Sequence, residues 1–213
     1  MAVTDEPNKP AIQMSTDLAA KKKELRLYIR EKVKSLSTGQ RDEFSRQACA
    51  LLMEQKIWRT AKSILFYSPL RDELDLFPLL HQALTENKIV ALPRFVSTEK
   101  VYAASQISNF KEDCAPGKFG IHEPSENCPM ISLNQLDLVL VPGVAFDPTG
   151  HRLGRGQGYY DRLLARVSGI KCGVAFDEQL VPGIPAEPHD VRLNCILTPT
   201  RWLFIDGPPA VLT

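Results

Sequence analysis

The sequence predicts an α/β fold, a three-layer αβα arrangement with a mostly parallel central sheet, opened by an N-terminal helical hairpin. Three features point to it. Short apolar runs alternate with stretches of helical spacing, the pattern of strand–helix–strand units. The run from Leu136 to Val141 is nearly all apolar and is closed by Pro142 and Gly143, which suits a strand covered on both faces by helices. Two helical patterns stand ahead of every strand, separated by a short polar connection.

From Asp17 to Leu36, the residues Leu18, Leu25, Ile29, Val33 and Leu36 recur at helical spacing, with lysines and arginines on the other faces, so an amphipathic surface helix is expected. Ser37 and Thr38 offer an N-cap for a second helix carrying Phe44, Ala48, Leu51 and Leu52 ahead of Trp58. Ser63 to Tyr67 then reads as strand, Leu74 to Leu84 as helix, and Lys88 to Leu92 as a strand ended by Pro93. Val101 to Met130, rich in Gly, Pro, Asn and Ser, reads as loops and edge strands. After the central strand come a helix from Tyr159 to Val167, a strand from Ile170 to Phe176, and last strands at Asn194 to Thr198 and Trp202 to Ile205.

Residues 1–16 carry acidic residues and two prolines and read as a flexible tail, which leaves 17–213 as one domain. They lack the layout of a secretory signal, and no apolar run reaches membrane-spanning length. A chain of 213 residues buries enough apolar surface to fold without disulfides or a structural metal. Its formal net charge of +1 gives no reason to expect a nucleic-acid or membrane-surface partner. The five cysteines form no C-x-x-C pair, which argues for a reducing cytoplasm. Cys172 and Cys195 lie in apolar runs and read as inert buried thiols. A monomer is the expectation.

The segment V-P-G-V-A-F-D-P-T-G-H-R-L-G-R-G-Q-G-Y-Y-D-R-L-L, from Val141 to Leu164, carries the chemical information. Asp147, Pro148, Thr149 and Gly150 match a type I turn, so the chain reverses just past the carboxyl end of a strand, the edge where open α/β sheets bind ligands. Gly154, Gly156 and Gly158 alternate with Arg155 and Gln157 before a helix. That spacing lets backbone N–H groups approach an anion closely. The loop is not a Walker A motif, which needs Gly, four residues, then Gly-Lys-Ser/Thr, and not a dinucleotide fingerprint, because Tyr159 stands at the third glycine position. Arg152 and Arg155 bracket it with guanidinium forks suited to phosphate, each close charge pair being worth roughly 4 kcal/mol at an effective dielectric near 20, before desolvation. Asp161 could complement the helix dipole or help hold a magnesium ion on bound phosphates. Tyr159 and Tyr160 could pack in the core or stack on a flat heterocycle.

At these residues the chain closely resembles the 5-formyltetrahydrofolate cyclo-ligase family. The match extends to K-K-E-L-R at Lys22 to Arg26, D-E-L-D at Asp72 to Asp75, L-P-R at Leu92 to Arg94, and H-D at His189 and Asp190. The resemblance implies a layered αβα fold and an ATP- and Mg²⁺-dependent closure of 5-formyltetrahydrofolate to 5,10-methenyltetrahydrofolate, through phosphorylation of the formyl oxygen and release of ADP and phosphate. It further implies that Lys22 and Arg26, together with Arg152, Leu153, Gly154, Arg155, Gly156, Gln157, Gly158, Tyr159 and Tyr160, bind ATP. Arg155 would be the catalytic residue near the transferred phosphate. Glu73 and Tyr159 would serve the folate, and Asp161 and Asp190 the metal. Lys22 and Arg26 sit four apart, so a helix sets both on one face. Gln157 departs from the glycine or lysine of many members, which removes a cation while leaving the glycine scaffold. His189 is unassigned.

Two other classes compete. A sugar-phosphate isomerase or CoA-transferase-like enzyme on a similar layered fold would turn over without ATP. A folate- or nucleotide-binding module would bind without releasing phosphate. The complete set of Lys22, Arg155 and Asp161 favours the ligase.

Overall fold

The structure, a computed structural model, describes the backbone of residues 9–117, 120–187 and 190–205, with side chains from residue 17 onward in those ranges. Helices α1 (Lys9–Lys34), α2 (Thr38–Glu54) and α3 (Lys56–Thr60) come first, then β1 (Ser63–Leu65), α4 (Phe77–Thr85), β2 (Ile89–Val96) and β3 (Val101–Ile107). The one-turn α5 (Phe110–Asp113) leads into β4 (Cys114–Pro116), β5 (His122–Pro124) and β6 (Met130–Ile131). Next are β7 (Leu138–Pro142), β8 (Ala145–Phe146), β9 (Arg152–Leu153) and α6 (Tyr159–Leu164), and the chain closes with β10 (Ile170–Val174), β11 (Cys195–Leu197) and β12 (Trp202–Phe204).

The main sheet has the order β12-β11-β10-β7-β1-β2-β3-β6. Its middle is parallel, from β11 through β10, β7 and β1 to β2, and antiparallel pairs form both margins. Strand faces alternate between two cores. Ile64, Val90, Leu92, Leu138, Leu140 and Cys172 pack with residues of α1, α2, α3 and α4. Leu65, Ala91, Val139, Val141 and Ile196 pack instead with Leu163 and Leu164 of α6 and with Leu133 and Leu136. Both faces are thus covered by helical segments, which explains why β7 is apolar at every position. The layer formed by α6 is thin, at six residues.

Local rules account for most element ends. Ser37 caps α2 by accepting from Gln40 N at 3.2 Å, while Gln40 Oε1 accepts from Ser37 N at 2.9 Å, a reciprocal capping box. Helix α1 begins at Lys9, so backbone expected as tail is helical over 9–16; residues 1–8 lie outside those described. The helix expected from Leu74 starts at Phe77, because Asp75 Oδ1 accepts from Phe77 N at 2.8 Å and Pro78 lies at the helix start. Pro93 does not end β2, which pairs with β3 through Val96↔Val101. Pairing with β1 stops at Leu65↔Ala91, so past Ala91 the missing proline N–H can face an edge where it costs no ladder bond. Asp137 interrupts the apolar run just before β7, where its Oδ2 accepts from Lys62 N at 2.7 Å and Ser63 N at 3.0 Å. The expected opening hairpin is present in sequence order, but α1 packs on β8 and the 3-10 turn Asp177–Gln179, and α2 on α3 and β11.

The turn at Asp147 forms as expected, with Gly150 N donating to Asp147 O at 3.0 Å, and it joins the β8–β9 hairpin. Asp147 is buried. Burial alone would raise its carboxyl, but hydrogen bonds from Thr149, Ile184 N and His151 N outweigh that and hold it below the usual range. Cys172 and Cys195 are buried free thiols on neighbouring strands, and burial pushes the Cys172 thiol far up.

Candidate active site

Strand order reverses between β1 and β7. The chain runs from β1 to β2 on one side, then returns to β7 on the other and continues to β10 and β11. The loops leaving the carboxyl ends of β1 and β7 therefore diverge, and the gap between them is where a parallel sheet offers a crevice. A cavity of about 480 Å³ lies there, walled by residues after β1, residues after β7, and the inner face of α1, within the range of small-molecule sites.

Every expected site residue lines this cavity: Lys22, Arg26, Glu73, Asp190, and the whole stretch from Arg152 to Asp161. Helix α1 brings Lys22 and Arg26 to it on one face. Arg26 Nε donates to Gly154 O at 2.8 Å, so α1 clamps the glycine loop from above. Lys22 Nζ donates to Glu187 Oε2 at 2.7 Å and Asp190 Oδ2 at 3.0 Å. Desolvation lowers its pKa, but these two partners outweigh it and hold the ammonium above its ordinary value. Asp190 Oδ2 also accepts from Glu187 N at 2.8 Å, which fixes that turn.

The loop needs its glycines. Gly156 has φ of 104° and Gly158 has φ of 64°, and a side chain at such angles is strained. Gly154 serves another purpose, since a Cβ there would sit 2.9 Å from Arg152 Nη1. The two arginines of the loop have different surroundings. The Arg152 side chain is 3% exposed; its Nη2 donates to Asp161 Oδ1 at 2.8 Å, its Nη1 to Pro142 O at 3.3 Å, and its guanidinium lies 5.6 Å from the Tyr160 ring centre. It braces the loop from beneath and aims Asp161. Arg155 stands at the rim, and its Nη2 donates to Asp72 Oδ1 at 2.7 Å and Glu73 Oε1 at 2.9 Å. Burial lowers its pKa, and the pairing with Asp72 and Glu73 more than reverses this.

Glu73 is a buried carboxylate of the site, with 8% of its side chain exposed and its Oε2 accepting from Leu70 N at 3.0 Å. Burial pushes it above the ordinary carboxylate range, against the pull of Arg155 and the Leu70 N–H. The tyrosines divide. Tyr160 packs against the α6-side core and is pushed up by burial. Tyr159 joins Phe95 and Tyr102 in a triangle of edge-on rings with centroids 5.4 to 5.5 Å apart, and Arg162 lies 5.1 Å from its ring centre. Gln157 is exposed at the loop tip. His189 lies outside the described residues.

Tyr102, Glu123 and Glu187 line the cavity without a sequence expectation, and Asp72, part of the D-E-L-D match but given no role, stands beside it on Arg155. Asp72 and Glu187 were within reach, as they flank motif carboxylates. Glu123 gave no local signal. It is buried and accepts from Phe95 N at 2.7 Å, linking β5 to β2.

Among the described residues, the cationic and carboxylate lining comprises Lys22, Arg26, Arg152 and Arg155 against Glu73, Glu123, Asp161, Glu187 and Asp190. Carboxylates at least match cations, so a polyphosphate entering here needs a companion cation. No group of three or more His, Cys, Asp or Glu among the described residues is arranged to hold a metal alone. That donor set fits Mg²⁺, which is commonly held by one or two carboxylates plus substrate phosphates. No helix among the described residues is long and apolar enough to cross a membrane.

Comparison with known proteins agrees with this geometry. The sequence profile of the 5-formyltetrahydrofolate cyclo-ligase family matches residues 18–199. The mouse 5-formyltetrahydrofolate cyclo-ligase is 30% identical over 192 residues, covering 83% of this chain and 92% of its own. The Haemophilus influenzae enzyme of the same name is 35% identical over 173 residues, covering 79% and 91%. The solved structure of Aquifex aeolicus 5,10-methenyltetrahydrofolate synthetase superposes with a TM-score of 0.79 at 31% identity, covering 90% of this chain and 96% of that one. The family match over residues 18–199 takes in most of the sheet and the glycine loop, and the chain belongs to the 5-formyltetrahydrofolate cyclo-ligase family of enzymes.

Proposed function

We propose that this protein uses ATP and Mg²⁺ to close 5-formyltetrahydrofolate into 5,10-methenyltetrahydrofolate, releasing ADP and phosphate. The observation that carries the reading is the convergence of two unlike sets of groups on one cavity. Lys22, Arg26, Arg155 and the glycine loop suit a phosphate chain, while Glu73 and the Tyr159–Tyr102 pair, which line the same cavity, suit a flat ring with N–H donors.

In this reading the formyl oxygen attacks the γ-phosphorus in line, the bond from that phosphorus to the ADP oxygen breaks, and a phosphorylated imidate forms on the folate. The neighbouring nitrogen of the folate then adds to the formyl carbon, loses its proton, and expels phosphate, leaving the methenyl bridge. The protein positions groups and stabilises charge. Lys22 and Arg26 orient the phosphate chain from α1, Arg155 meets the charge of the transferred group, and Arg152 braces the loop and Asp161. Glu73 and Tyr159 hold the pterin so that its formyl oxygen faces the phosphate. Asp161 and Asp190 would hold Mg²⁺, which would supply charge neutralisation for the phosphates. Residues 17–213 form one domain in this account, acting as a monomer in a reducing cytoplasm, consistent with five free cysteines.

The test follows the near-ultraviolet absorbance of the methenyl product with and without ATP and Mg²⁺. A rise that needs all three components is expected. Binding of both ligands by calorimetry without any rise would instead identify a non-catalytic module. Asp161→Asn should raise the Mg²⁺ concentration for half-maximal rate by about tenfold or more. The asparagine keeps an acceptor for Arg152, so an unaltered Mg²⁺ titration would remove Asp161 from metal contact.

A further inference from the structure

Arg155 is shared between two acceptors of different kinds. Its Nη2 donates both to Glu73, whose side chain is 8% exposed, and to Asp72, which stands at the rim with 39% exposed. The second oxygen of Glu73 is engaged by Leu70 N. A guanidinium whose charge is already compensated by two carboxylates through one nitrogen binds a phosphate strongly only when one of them loosens, and a buried carboxylate that loses its cation is strongly destabilised. The pyrimidine edge of a pterin carries adjacent N–H donors, which can take the place of that cation on Glu73.

We propose that Arg155 is exchanged between Glu73 and the phosphate chain, so that folate and nucleotide bind cooperatively, with Asp72 as the positioning residue that retains Arg155 at the rim and competes with phosphate for it. The inference rests on reading Glu73 as the pterin partner and Arg155 as the phosphate partner. Pterin on Glu73 loosens one hold on Arg155. Phosphate on Arg155 leaves Glu73 ready to accept from pterin. Each ligand removes part of the other's cost, and linkage requires the effect to be equal in both directions. Asp72 remains with Arg155 throughout, which keeps the guanidinium over the cavity when Glu73 turns to the pterin.

Calorimetry on the full chain tests this with Mg²⁺ and a non-hydrolysable ATP analogue, and with 5-methyltetrahydrofolate, which keeps the pterin and lacks the formyl oxygen. Each ligand should tighten the other by about fivefold or more, by the same factor. Asp72→Asn should tighten nucleotide binding by about two- to fivefold with or without folate, as expected for release from an exposed ion pair, and should keep the coupling. Arg155→Ala should bring the coupling factor to one. Equal nucleotide affinity with and without folate in the natural protein overturns the exchange, as does coupling that survives in Arg155→Ala. Unchanged or weaker nucleotide binding in Asp72→Asn removes Asp72 as competitor. Failure of either ligand to bind the natural protein would sink the proposed function together with the exchange, whereas binding of both without coupling sinks the exchange alone.

Discussion

Arg155→Ala is expected to lower turnover by about 10²- to 10³-fold, while weakening nucleotide binding by less than about tenfold. The asymmetry follows from its partners. In the ground state the guanidinium charge is already compensated by Asp72 at 2.7 Å and Glu73 at 2.9 Å, so exchanging those contacts for a phosphate gains little net free energy. In the transition state the in-flight phosphoryl group needs charge stabilisation that no neutral loop group can supply, and only interactions stronger there than in the ground state raise kcat. Arg155→Lys keeps the charge and loses the planar fork, so it should recover only part of the rate. Steady-state kinetics beside calorimetric affinities decide the matter: a loss confined to affinity would make Arg155 a ground-state ligand.

Glu73→Gln should weaken folate binding by about 10- to 100-fold, the effect of removing a charged acceptor from a buried hydrogen bond, without weakening nucleotide binding. The pH dependence gives a second readout. Burial pushes the Glu73 carboxyl above its ordinary value, with Arg155 and the Leu70 N–H opposing. A raised folded-state value means that folding favours the protonated form. Its contribution to stability is present below the unfolded value of about 4.3 and is lost as pH rises through the folded one. Folate binding runs the other way, because the ionised acceptor disappears as pH falls through that raised value. Folate affinity should therefore decline on acidification while ordinary carboxylates are still charged, and the Gln variant should lack this step. A Gln variant that keeps folate affinity and loses nucleotide affinity would overturn the pterin assignment.

The helices and strands whose signals are local were legible. Ser37 and Gln40 form a cap from groups three residues apart, and the apolar positions of β7 predict a doubly covered strand because burial on both faces leaves none for water. Boundaries failed where a tertiary partner decided them. Pro93 read as a stop because proline lacks an N–H, yet β1 ends its pairing with β2 at Ala91 and makes that absence tolerable. The region from Val101 to Met130 does hold strands among loops, but β3 lies inside the sheet between β2 and β6 rather than at its edge, a place that its small buried residues Ala103, Ala104 and Ser105 do not signal. Within the site, the motif residues could be named one by one, and Asp72 and Glu187 lie near motif carboxylates, but Glu123 comes to the cavity only through the contact of β5 with β2.

By itself the sequence determined the class of the fold, the central parallel strand, and the glycine loop with its flanking charges, since each depends on periodicity or steric freedom within a few residues. Only the tertiary structure decided which charges meet. Arg26 reaches Gly154 across 128 residues of sequence, and Lys22 reaches Asp190 across 168. Those pairings follow from the strand order that sets β1 beside β7 and lays α1 over their divergent loops. The same arrangement buries Arg152 as a brace and leaves Arg155 at the rim between two carboxylates, a difference that burial and ion pairing create and that no local spacing encodes.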